Sequence, residues 1–177
     1  MTDWSPDGFS RDMNEPLRRL CSALVGLPIT HIWQGHGTAL FLEFGDLAES
    51  YRSDGTVGNP KGEISVDLQF DWRVESGHKI VCGSGGNSEI WDFHFKRMIG
   101  STTLDLSVTG VIPELCLDLS NGYRVITCAL DEDGPHWALM DNRQSGGICI
   151  SATEGRIVVE DGLTPPSASM TPNSPDE

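Results

Sequence analysis

A helix-stopping glycine followed by a run of alternating strands occurs twice in this chain, and this repetition limits the folds open to it more than any other feature. In the first instance Asn14 is placed to cap a helix, Glu15 and Pro16 suit its opening turn, and Leu17, Leu20, Cys21 and Leu24 form an apolar stripe that ends before Gly26. In the second, Ser88 stands at the cap, Glu89 and Asp92 come early and Lys96 and Arg97 late, and Ile90, Trp91, Phe95, Met98 and Ile99 supply the buried face before Gly100. Leu24-Val25-Gly26 therefore aligns with Met98-Ile99-Gly100. Ile29 and Ile32 then match Thr103 and Leu106, and Leu40 to Phe44 matches Leu115 to Leu119 after a one-residue shift. Alternation of this kind marks half-buried strands.

Further strands are predicted in the first half: one in which Ile64, Val66, Leu68 and Phe70 alternate up to Trp72-Arg73, and a shorter one over Lys79 to Cys82. The second half continues through Tyr123 to Leu130, His136 to Met140, Ile148 to Ser151 and Ile157 to Val159, with Asn121-Gly122, Asp133-Gly134-Pro135, Gly146-Gly147 and Glu154-Gly155 as turns. The expectation is an α+β fold in which two related halves, 14–86 and 87–162, each a helix followed by about four antiparallel strands, pack as one domain. An N-terminal extension (1–13) precedes it, and the proline- and serine-rich segment 163–177 is expected to be a disordered tail. Between them the polar loop Ala48 to Gly62 is long enough to be either functional or mobile.

Charge sets what such a domain can bind. With 26 acidic and 12 basic residues the formal net charge is −14, which repels phosphate backbones and anionic membranes, so neither nucleic acid nor membrane is an expected partner. The excess is spread along the chain and suits either solubility or a basic protein partner. The start of the sequence has none of the basic-then-apolar pattern of an export signal, and the five cysteines, Cys21, Cys82, Cys116, Cys128 and Cys149, form no C-x-x-C pair. They read as reduced, mostly buried thiols, which points to a cytoplasmic protein.

No residue spacing points to a particular chemistry, so no catalytic residue, metal ligand or cofactor is expected. Gly83-Ser84-Gly85-Gly86 lies between a strand and a helix but lacks the lysine of a phosphate loop and the spacing of a dinucleotide loop. Asp92 and His94 diverge on a helix, and His31, His36, His78 and His136 have no metal-ligand spacing. Ser84 and Ser145 lack the nucleophile elbow, and Glu43, Asp46, Asp67 and Asp71 read as the wet side of strands. Among small-site candidates, His31 to Gly37 places Trp33 and His36 around a glycine-rich turn, which a hairpin apex also explains. Trp72 with Arg73, and His136 with Trp137, occupy comparable places in the two halves and suit either the core or a partner-anchoring role. These six residues, Trp33, His36, Trp72, Arg73, His136 and Trp137, are the candidate binding set.

The order Gly37-Thr-Ala-Leu-Phe-Leu-Glu-Phe-Gly45, then Asp71-Trp72-Arg73, then Leu115-Cys-Leu-Asp-Leu-Ser-Asn-Gly122, resembles a group of small bacterial proteins of unknown function over roughly Leu24 to Glu160. It is also similar in style to the immunity proteins of toxin systems. The net charge, together with the absence of a recognisable chemistry, leads to the expectation of a protein that neutralises or regulates a basic protein partner. Two other readings stand beside it: a small-ligand site or enzyme between the halves, lined by His31, His36, Asp92 or His94, and a structural subunit that forms a homodimer.

Overall fold

A computed structural model describes residues 14–161 except 70, 131–133 and 145. The segments 1–13 and 163–177 and the Asp131-Glu132-Asp133 turn lie outside the described residues. Within them the fold is α+β: α1 (Asn14–Leu24), β1 (Ile29–Gln34), β2 (Leu40–Phe44), β3 (Ile64–Leu68), β4 (Trp72–Ser76) and β5 (Lys79–Gly83) precede α2 (Trp91–Met98). After it come β6 (Thr103–Thr109), β7 (Glu114–Leu119), β8 (Tyr123–Thr127), β9 (Pro135–Asp141), β10 (Ile148–Thr153) and β11 (Arg156–Asp161). The two halves thus carry five and six strands, rather than about four each. A single 3-10 turn, Ser88–Ile90, leads into α2, and its cap is Asn87, whose side chain accepts from Glu89 N at 3.0 Å. Ser88, the expected cap, is the first residue of the turn instead.

Both helices end as the glycines dictate. Gly26 and Gly100 take φ +85 and +87, a left-handed conformation that side chains resist, and the amides of Leu27 and Ser101 close the last turns onto the carbonyls of Leu24 and Met98. The released segments then run antiparallel across one another. Gly26 N donates to Thr103 O (2.9 Å) and Gly100 N to Ile29 O (2.7 Å); Ile29 N donates to Ser101 O (2.9 Å) and Thr103 N to Leu27 O (3.0 Å). Each bond in one half has its counterpart in the other, on either side of the Pro28–Thr102 bridge.

From this crossing two antiparallel sheets spread, one ordered β1-β2-β3-β9-β10-β11 and the other β5-β4-β8-β7-β6. The order shows an exchange that local sequence patterns do not foretell. Each half builds a three-stranded meander and then sends its next strands into the sheet begun by the other half. The two seams have matching registers: Val66 faces Leu139 and Leu68 faces Trp137 across β3·β9, while Val125 faces Val74 and Thr127 faces Trp72 across β8·β4. Inward residues of both sheets and the apolar faces of both helices join in one buried cluster, with Leu24, Leu40, Leu42 and Phe44 from one half and Met98, Leu115, Leu117 and Leu119 from the other.

Trp72 and Trp137 are the largest fully buried side chains of that cluster, 1% and 0% exposed, so neither indole is available to anchor a partner. Each meets its buried N–H requirement on a segment leading into the opposite sheet: Trp72 Nε1 donates to Thr38 O (2.7 Å), just before β2, and Trp137 Nε1 to Pro113 O (2.8 Å), just before β7. Trp91 and Phe95 of α2 pack on Trp72, with ring centroids 5.0 and 6.1 Å away. Replacing either seam tryptophan with phenylalanine keeps an aromatic ring but removes the donor and some volume. Trp72→Phe and Trp137→Phe are each expected to lower the unfolding free energy by about 1–3 kcal/mol, by similar amounts, in urea titrations with unchanged slope.

Candidate functional site

The halves differ most in the connection between the second and third strands of each meander. In the second half, β7 passes to β8 through Ser120-Asn121-Gly122. In the first, β2 and β3 are joined by residues 45–63, which form a hydrogen-bonded hairpin excursion. Bridges pair Ala48 with Lys61 and Tyr51 with Val57, and Arg52 N and Gly58 N donate to Thr56 O and Ser50 O, each at 2.8 Å. Asp54-Gly55 is the turn, with Gly55 at φ +81. The Asp54 carboxylate accepts from the hydroxyl and amide of Thr56, which hold its pKa below the ordinary aspartate value. The hairpin presents apolar surface to solvent: Tyr51 is 63% exposed and Val57 66%, with Leu47 also exposed at the base. Acidic side chains stand among them, with Glu49 accepting from the Tyr51 hydroxyl at 2.8 Å and Asp46 and Asp54 nearby in the chain.

Its base is fastened by a buried carboxylate. Glu43 faces outward from β2, as alternation requires, yet is only 1% exposed. It accepts from Trp33 Nε1 (3.0 Å), Gly62 N (2.8 Å) and the Ser65 hydroxyl, so a cluster of donors takes the place of a cation. Asn142, from the β9–β10 connection of the other half, donates to Gly62 O (3.0 Å) and Ser65 Oγ (2.7 Å). Gly62 must be glycine, since a Cβ there would lie 2.4 Å from the carbonyl oxygen of Phe44.

The six candidate residues do not converge on one surface. Trp33 stacks on Phe41 (3.8 Å between centroids) and holds Glu43, while His36 is exposed in the β1–β2 turn. Arg73 pairs with Glu75 at 2.7 Å, which raises its pKa, and His136 is buried with no hydrogen-bond partner for Nε2 among the described residues. Trp72 and Trp137 lie in the core. Ser84, from the glycine-rich stretch, bonds the backbone of Trp72 and finishes the β4·β5 pair. His94 and Arg97 both reach the Tyr123 hydroxyl at 3.1 Å, and Asp92, two residues before His94 on the same helix, is exposed.

Two corrections concern carboxylates. Glu43 and Asp67 occupy outward strand positions but are buried, so that side of the six-stranded sheet is not a wet face. The signal was present in the sequence: Trp33 and Phe41 alternate onto the same side, and aromatic residues on a supposed solvent face shield their neighbours. Burial pushes the Cys21 and Cys82 thiols up to about 11, which leaves them protonated at neutral pH. Among the described residues, no group of three His, Cys, Asp or Glu side chains is placed to hold a metal ion, and no helix is long and apolar enough to cross a membrane. Two open grooves, of about 460 and 500 Å³, lie respectively beside Leu104, Asp105, Asp118 and Tyr123 and between the first turn of α1 and the 143–148 connection.

Removing the Glu43 carboxylate leaves buried donors without an acceptor. Glu43→Ala is expected to cost about 3 kcal/mol or more of stability and to speed tryptic cleavage after Arg52 in the hairpin. An unchanged cleavage rate would show that the network does not hold the hairpin.

Searches of protein-family models, curated proteins and solved structures found no match to this chain.

Proposed function

We propose that the protein binds a basic protein partner, with the 46–62 hairpin as its recognition element. The carrying observation is the pair Tyr51 and Val57, held side by side on an ordered hairpin and largely exposed. Ordering them in advance reduces the entropy lost on binding, and an exposed tyrosine beside an aliphatic residue has the composition of an interface anchor. The hairpin interrupts one half of a fold whose other half makes the same connection with a three-residue turn, so the architecture does not require it.

Charge supports the sign of the partner. Among the described residues, the ion pairs engage Arg18, Arg19, Arg73, Arg124 and Arg143 with Glu15, Glu75, Asp118 and Asp141. Among the described residues, Asp46, Glu49 and Asp54 beside the hairpin make no such pair, nor do Asp92, Asp105 and Glu114 elsewhere. With a net charge of −14, the surface steers a cationic protein toward contact, and the apolar hairpin then provides the anchor.

The test is affinity capture from the native cell lysate with the intact chain and with a Tyr51→Ala/Val57→Ser variant, at low and high salt. Expected is a basic protein retained by the intact chain, weakened by salt, and bound at least about tenfold more weakly by the variant. Equal capture by both proteins would remove the hairpin from the interface, and the absence of any specific protein would end the binding reading.

A further inference from the structure

Asp67 is the fourth of the five residues of β3, itself third of six strands, with Phe41 opposite it on β2 and Ala138 opposite it on β9. Val66 and Leu68 point into the core, so its carboxyl lies on the outer side of the sheet, and it is nevertheless 7% exposed. The Gln69 amide donates to Oδ2, and Oδ1 has no hydrogen-bond partner among the described residues. The titratable groups on this side are His31 on β1, Glu43 on β2, His136 on β9, Cys149 on β10 and Glu160 on β11. Glu43 and Glu160 carry the same sign as Asp67. The cation on this side, Arg156, stands on β11, three strands from β3. Among the described residues the Asp67 carboxyl therefore has one neutral donor, Gln69, and no ion pair.

The other sheet shows what the position needs for folding. There Ile126 has the same neighbours in the ladder, with Cys116 opposite on β7 and Arg73 opposite on β4. An apolar side chain serves that seam, so a buried carboxyl in the β3·β9 seam is not demanded by the architecture.

We propose that Asp67 makes the β3·β9 seam a proton-controlled joint, tight while the carboxyl is protonated and loosened when it ionises. β3·β9 is the ladder through which the first meander holds the strands of the second half in this sheet. Burial pushes the carboxyl up to about 6, with the Gln69 hydrogen bond opposing the rise and the Glu43 charge adding to it. An unfolded aspartate titrates near 4, so the folded chain holds this proton more tightly than the unfolded chain does. The resulting stabilisation is fully present below about pH 4 and is lost as pH rises through about 6. The cost of ionisation falls where the charge is, and local separation of β3 from β9 relieves it by admitting water. This joint is independent of what the hairpin binds.

The test is amide hydrogen exchange of the intact chain at about pH 5 and about pH 7.5, corrected for intrinsic rates, comparing the β3·β9 seam with β4·β8. Expected is a loss of protection of about tenfold or more at β3·β9 at the higher pH, with β4·β8 unchanged. Asp67→Asn, and Asp67→Ile, which copies the other sheet, are expected to abolish the difference. The proposal is overturned if the wild-type seam is equally protected at both pH values, if both seams lose protection together, or if the Asn variant keeps the drop. The comparison of the two wild-type seams decides even if neither variant folds.

Discussion

The crossing of the two post-helical segments around Pro28 and Thr102 is the contact on which the rest of the architecture depends. Four backbone hydrogen bonds there fix where β1 and β6 begin and in which direction each leaves. Those departures set the two meanders, and the meanders set which edge each half offers to the strands of the other. The bonds require both helices to stop at the same point relative to the crossing, and Gly26 and Gly100 ensure it by adopting a conformation in which any other residue is strained. Backbone geometry at two glycines thus governs long-range pairing.

Equivalent positions in the two sheets solve the same problem in different chemistry. Asp118 on β7 pairs with Arg124 on β8 at the surface, whereas at the matching step Glu43 on β2 faces Ser65 on β3 and is buried. An ion pair at the surface contributes little and is screened by salt. A buried carboxylate satisfied by donors from two strands and a loop contributes order: it fixes Trp33, Gly62 and, through Ser65, Asn142. That network bonds Gly62 at the base of the hairpin, where the other half carries a tight turn.

Much of the frame was legible in the sequence because it depends on local rules. The glycines at 26 and 100, the alternation over Leu40 to Phe44 and Leu115 to Leu119, and turns such as Asn121-Gly122 report conformation within a few residues. The exchange of strands was not legible, since Val66 meets Leu139 across a sequence separation that no local pattern encodes. The outward placement of Glu43 and Asp67 followed from alternation, but their burial followed from neighbours on other strands. Trp72 and Trp137 stood at comparable places in the sequence, and only their bonds to Thr38 and Pro113 decided between core and surface. The hairpin was visible as a long polar loop; Asp54-Gly55 signalled a turn within it, and the pairing of Tyr51 with Val57 came from the fold.

The exchanged strands also govern how the chain is made. As the first half leaves the ribosome, β4 and β5 have only each other, because β8 lies beyond α2 and has yet to be synthesised. β3 likewise exposes an edge until β9 emerges. The nascent first half is therefore a meander with an open edge, and its folding is completed only late in translation, once β8 and then β9 have emerged to close the two seams.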